Sequence, residues 1–306
     1  EITDTVAKLI TGYMEDLDFS NDKNGLYNGS PYDAFLNLNK LPRAPKKDES
    51  KIAYGQQLLK GISRLKKPIF ISETHGSFEH HTQKFVFSKK ELKGLQLFLR
   101  SGSAAQSGGN CASCHQAPHF TDFRFHNTGI SQNQYDQLHG LDAFNKIKIP
   151  NFEKRNNNAA KYLPASAKHP NALSIFRTKP NVQKPEHTDL GLWNITANAN
   201  IPGPQKKIKA ILCEGKEDCT IDIMLNKSIA AFKTPSLRDT GHSAPYMHTG
   251  ELNTLGEVIA MYVSNSELAQ EGRLRNSNAE LLKIKLTSSD IEYLIAFLNS
   301  LNEDYD

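Results

Sequence analysis

Apolar residues along this chain recur mostly at helical spacing, and little of the text alternates as a strand does. After Thr3, a candidate cap, the positions Val6, Leu9, Ile10, Tyr13 and Leu17 predict a first helix that buries one face. From Asn21 to about Ser50 the chain is rich in Gly, Pro, Asn and Lys, and Leu41-Pro42-Arg43-Ala44-Pro45-Lys46-Lys47 predicts an extended linker at a domain boundary. Tyr54 to Leu65 reads as a short helix. Ser88-Lys89-Lys90-Glu91 is a capping box, in which the side chains of the first and last residues satisfy backbone donors as a helix begins; Leu92, Leu95, Phe98 and Leu99 follow. Ser131 to Pro185 is poorly periodic and reads as loops with short helices. Thr254-Leu255-Gly256-Glu257 is a second capping box, opening a helix with Val258, Ile259 and Tyr262. Thr287-Ser288-Ser289-Asp290 opens the last helix, whose stripe of Ile291, Leu294, Ile295, Leu298 and Leu301 predicts packing on the helix after Ser88. The fold class is mainly α, with long loops.

Composition narrows the function. The 306 residues sit near two domains at roughly 150 residues each. Lys and Arg number 37 against 33 Asp and Glu, a net charge of +4 without basic blocks, so nucleic acid is not the expected partner. The hydrophobic fraction is 38% and mean hydropathy is −0.53. No stretch approaches the roughly 20 apolar residues of a membrane span. The opening Glu1-Ile2-Thr3-Asp4 lacks the basic start and apolar run of a signal peptide, so any export signal lies upstream or has been removed. Between Glu73 and His81 stand His75, His80 and His81; their irregular spacing reads as solvated histidines, with a metal site as the competing reading.

The cysteines carry the chemistry. Cys111-Ala112-Ser113-Cys114-His115 has the C-x-x-C-H spacing of covalent c-type haem attachment. Two thiols three positions apart can reach both vinyl groups of one haem, and the adjacent imidazole is then held under the iron. A thioredoxin-like redox pair would need a βαβ context, and a zinc knuckle completed by Cys213 and Cys219 would need a second C-x-x-C. Cys213 and Cys219 flank a polar turn, Glu214 to Asp218, that suits a small disulfide and an oxidising compartment, with two free thiols as the alternative.

Further strings carry a resemblance. Glu91 to Phe98, Cys111 to His115, Phe120-Thr121-Asp122, Phe125-His126-Asn127-Thr128-Gly129, Asp189-Leu190-Gly191, Phe232 to Arg238, Ala244 to Gly250 and Leu294 to Leu298 follow one another as in the C-terminal haem domain of the bacterial di-haem cytochrome c peroxidases and their MauG-type relatives. The chain is similar to that family in order and spacing from about residue 88 to 301, and Ser30 to Leu36 resembles the segment joining the family's two haem domains. The resemblance implies a cytochrome c-like haem domain over 88–306, an inter-domain helix and linker over 1–50, and a connecting segment over 51–87. The family's other C-x-x-C-H motif is absent from this chain. That implies either an upstream haem domain or a single-haem derivative.

The resemblance also implies ligands. The family's distal Met falls fourteen residues after the His of the Pro-Tyr-x-His-x-Gly string, a position held here by Tyr262, as in MauG-type enzymes. Met261, its neighbour, points about 100° away on a helix and cannot share the iron with it; Met247 is a further candidate. Haem iron would thus lie between His115 and Tyr262, with Arg238 at a propionate and the backbone carbonyls of Ser243 and Pro245 on a calcium ion. Trp193 reads as a packing residue, with an electron relay as the alternative. The implied protein is a periplasmic oxidoreductase that uses hydrogen peroxide and passes oxidising equivalents through a His/Tyr haem to a protein substrate or redox partner. A single-haem electron-transfer or sensor cytochrome is the alternative.

Overall fold

The computed structural model describes residues 2–16, 19–73 and 84–303. Leu17, His75, His80 and His81 lie outside the described residues. Eleven α-helices are present among the described residues: α1 (Ile2–Asp16), α2 (Pro31–Leu38), α3 (Lys51–Ser63), α4 (Lys89–Leu99), α5 (Ile130–His139), α6 (Phe152–Asn157), α7 (Ala159–Tyr162), α8 (Gln205–Cys213), α9 (Ile221–Ser228), α10 (Leu255–Gln270) and α11 (Ser288–Asn299). Two short antiparallel strands, β1 (Phe125–His126) and β2 (Phe232–Lys233), pair Phe125 with Lys233. The fold is mainly α with long loops. Among the described residues no helix is long and apolar enough to cross a membrane.

Local signals set the helix starts. In the box at α4, Ser88 N donates to Glu91 Oε2 at 2.6 Å. At α10, Thr254 N donates to Glu257 Oε2 at 2.9 Å and Glu257 N to Thr254 Oγ1 at 3.2 Å. At α11, Asp290 replaces the usual Glu and accepts from Thr287 N at 2.9 Å. A fourth box, Ser30 with Asp33 and Pro31 in the first turn, opens α2.

The stripe of α11 packs on α4, as its apolar spacing predicts. Gly94 makes the crossing: a Cβ there would lie 1.9 Å from the Tyr293 carbonyl oxygen, so only a hydrogen fits between the helices. Leu95, Leu97 and Phe98 of α4 bury with Leu294, Phe297 and Leu298 of α11, and Tyr32 and Phe35 of α2 and Tyr54 and Leu58 of α3 join the same cluster. Residues from 1–50 and 51–87 thus share one core with the segment after 88. The face of α1 departs from expectation. Val6, Leu9, Ile10 and Tyr13 are 48%, 70%, 53% and 66% exposed, because no other described element packs against their stripe.

A second cluster surrounds Trp193, which is 1% exposed and meets Phe176 edge-on at 5.3 Å between centroids. The Arg155 guanidinium lies 5.0 Å from the Trp193 ring and donates to its carbonyl at 2.9 Å. Trp193 is therefore a core residue. Cys213 and Cys219 are joined by a disulfide that closes the turn between α8 and α9.

Candidate haem site

The loop that follows α4 returns on that helix before reaching the paired thiols. Gly109 N donates to Leu97 O at 2.8 Å and Asn110 N to Arg100 O at 2.9 Å, and the chain then enters a single 3-10 turn, Cys111–Ser113. Gly109 is required at the turn's entrance, since a Cβ there would stand 2.9 Å from Cys111 Sγ. The turn presents Cys111 and Cys114, both free thiols, with His115 directly beyond. Burial, and then the neighbouring Cys114, push the Cys111 thiol up to about 12.

His115 is oriented by the backbone. Its Nδ1 lies 3.1 Å from the Phe120 carbonyl oxygen, which fixes the tautomer with the proton on Nδ1 and leaves Nε2 as a ligand nitrogen. Burial lowers its pKa, and the Phe120 carbonyl pulls the other way. The ring is neutral, the form that binds a metal.

Tyr262 comes from α10. Its phenol is pushed up to about 12, by burial first and then by the thiols of Cys114 and Cys111. The Thr128 hydroxyl also bonds it. Met261, one position earlier, is buried on the same helix, and Met247 stands in a loop with φ of +69°.

A polar group that the sequence reading did not single out borders Cys114. His126 Nε2 lies 2.7 Å from Asp122 Oδ2, and Nδ1 lies 2.7 Å from Asn278 Nδ2. Cys114, Asp122 and His126 form a set of donor atoms within 4.8 Å of one another. Burial alone would lower the His126 pKa, but Asp122 and Cys114 more than offset it and raise the value to about 10. A charged ring also needs the Asn278 amide turned so that its oxygen faces Nδ1. Both strings, Phe120-Thr121-Asp122 and Phe125 to Gly129, are adjacent in the sequence; Asn278 is the distant member.

Arg238 is a correction. Its buried guanidinium, expected at a propionate, is committed to protein partners: Nη1 and Nη2 donate to the two Asp33 carboxylate oxygens at 2.9 Å each, and Nε donates to Pro118 O at 2.9 Å. Ser243 and Pro245 stand exposed on the loop after β2, where Ser243 Oγ donates to Asp239 O at 3.0 Å.

The donor set suits a haem. Two free thiols three positions apart and an imidazole held by a backbone carbonyl stand on one loop, and α10 carries a phenol whose pKa both thiols raise. Soft sulfur for attachment and nitrogen and oxygen for axial ligation are the types such a group needs.

These are the donor types that a c-type haem would need, on a mainly α fold. No family model matches the chain. It is 26% identical over 222 residues to the cytochrome c peroxidase IdrP2 of Denitromonas iodatirespirans, covering 71% of this chain and 41% of that protein. It is 42% identical over 72 residues to the methylamine utilization protein MauG of Methylophilus methylotrophus, covering 24% of this chain and 20% of that protein. Among solved structures it matches a MauG-like protein associated with microbial copper homeostasis at 20% identity and a TM-score of 0.35, over 71% of this chain and 48% of that one. The chain spans less than half the length of these relatives. The sequence matches thus make the chain similar, over part of its length, to cytochrome c peroxidases and MauG proteins.

Proposed function

We propose that this chain is a c-type haem domain of a periplasmic, peroxidase-type oxidoreductase that uses hydrogen peroxide and oxidises a protein substrate or redox partner. The observation that carries this reading is the convergence of Cys111, Cys114, His115 and Tyr262, from a loop and a helix far apart in sequence. Cys111 and Cys114 would hold the haem through thioether bonds. His115 would ligate its iron through Nε2, and Tyr262 would supply a second protein ligand. A bound haem supplies one-electron redox chemistry. The chain's own residues govern how that chemistry is poised: the Phe120 carbonyl strengthens the imidazole as a donor, and an anionic phenolate favours ferric over ferrous iron. Were His115 and Tyr262 both to ligate the iron, peroxide would need a second haem elsewhere in the protein. The Cys213–Cys219 disulfide supports the oxidising compartment. The Ser243 and Pro245 carbonyls remain our proposed contribution to a calcium site.

Tyr262→Phe tests the ligand. The wild-type ferric protein should be low-spin, and the variant should become high-spin and bind cyanide. A wild-type spectrum with the near-infrared thioether-to-iron band would assign the position to Met261 or Met247 and overturn the Tyr262 reading.

A further inference from the structure

Phe120 supplies the carbonyl 3.1 Å from His115 Nδ1, Pro235 also bonds the ring through its backbone, and the loop around Phe120 is held at its neighbouring residues by one short segment, Thr234 to Arg238. Arg238 Nε donates to Pro118 O at 2.9 Å, Ser236 Oγ donates to His119 O at 2.8 Å, and Thr121 Oγ1 donates to Thr234 O at 2.7 Å. Arg238 N in turn donates to Ser236 Oγ at 3.1 Å. Phe120 has φ of +54°, a left-handed conformation that a side-chain-bearing residue keeps only where its surroundings enforce it. Its ring is packed against Tyr32, Phe98 and Phe297.

The anchor of this assembly is the Arg238 to Asp33 pair, 4% and 1% exposed. Its two parallel 2.9 Å bonds form the planar fork that a guanidinium makes and an ammonium cannot, and the Tyr27 ring lies 3.9 Å from the guanidinium carbon. Glu303 Oε1 stands 3.8 Å from Nη1. Apolar residues of equal volume would stabilise this core as well as a buried ion pair does, so the pair's distinctive contribution is direction. It ties α2 to the Pro118 carbonyl, two residues before Phe120.

We propose that Arg238 is a positioning residue for the axial imidazole. Paired with Asp33, it holds the Phe120 carbonyl on His115 Nδ1 and so sets the haem's redox potential; this rests on the haem assignment above. A firm Nδ1–H bond makes Nε2 a stronger donor and favours ferric iron. Loosening it raises the potential.

The experiment compares haem-loaded wild type with Arg238→Lys, Asp33→Asn, Ser236→Ala and, as control, Arg155→Lys, which disturbs an equally buried guanidinium beside Trp193. Haem content is read first; a wild-type chain without covalent haem overturns the haem assignment and this proposal with it. With haem present, Arg238→Lys and Asp33→Asn should shift the ferrous-to-ferric ratio at fixed potential about tenfold toward ferrous, about 59 mV for one electron. Ser236→Ala should shift it in the same direction by less, and supplies the test if the other two fail to fold. The His115 Nδ1 proton should exchange faster with solvent in each. Arg155→Lys should lower stability and leave both readouts at wild-type values. An unchanged potential and exchange rate in the folded variants, or an equal shift in Arg155→Lys, overturns the proposal.

Discussion

Gly94→Ala separates two effects of opposite sign. In mid-helix, Ala is favoured over Gly by up to about 1 kcal/mol, so propensity alone predicts stabilisation. The structure predicts the reverse. The added Cβ would lie 1.9 Å from the Tyr293 carbonyl oxygen and 2.7 Å from Phe297 Cβ, where ordinary contact begins at 3.4 Å, so α4 and α11 must part by about 1.5 Å. The obstacle is backbone and cannot turn aside as a flexible side chain would. Overpacking of a well-filled core costs about 1–3 kcal/mol; a clash of this depth sits at the upper end, and subtracting the propensity gain leaves a net loss of about 2 kcal/mol. Gly55→Ala in α3 is the matched comparison. Its Cβ would find Leu99 Cδ2 at 3.8 Å, an ordinary contact, and the variant should be more stable than wild type by up to about 1 kcal/mol. Denaturant unfolding of the two variants reads both signs. Because the loop bearing Cys111 bonds back to Leu97 and Arg100, haem incorporation should also fall in Gly94→Ala. A Gly94→Ala protein as stable as wild type, or more stable, would refute the close helix crossing.

Loss of the disulfide in Cys213→Ser with Cys219→Ser should cost about 2 kcal/mol, the entropy expected for so short a closed loop; thiol labelling of unreduced, unfolded wild type that finds reactive Cys213 and Cys219 would contradict the pairing. The His126 to Asp122 pair predicts a pH dependence. His126 is raised from 6.5 to about 10, so the charged ring stabilises fully below 6.5 and its contribution fades as pH climbs through the folded value. Asp122 is lowered below 3.8 and loses its contribution only in acid. The stability difference between wild type and His126→Gln should therefore be greatest between 3.8 and 6.5 and shrink above it. Attachment of Cys114 to haem, as proposed, would remove the thiol's share and move that decline below 10. A difference that stays flat as pH rises would contradict the pairing.

The parts legible in the sequence were those whose cause is local. Capping boxes at Ser88, Thr254 and Thr287 satisfy donors within four residues, and the helices they open are where the pattern placed them. The stripe of α11 announced its burial because several large apolar residues there need cover. The stripe of α1 looked the same and is exposed, since a pattern shows that a face is apolar and cannot show what covers it. The two thiols and the imidazole stand side by side in the sequence, as covalent attachment to one ring would require. Arg238 was misread for the opposite reason: its partner Asp33 lies 205 residues away, so nothing near it shows that the guanidinium is already spoken for. The grouping of His126 with Asn278, 152 residues on, was hidden in the same way.

The central claim is that Cys111 and Cys114 carry a haem whose iron His115 ligates. Intact-mass measurement of the denatured chain, purified from a cell able to mature c-type cytochromes, tests it most directly. The account predicts the mass of the polypeptide plus one haem, and polypeptide mass alone in Cys111→Ala with Cys114→Ala. A wild-type chain at bare polypeptide mass, or a double variant that still carries the haem covalently, would contradict it.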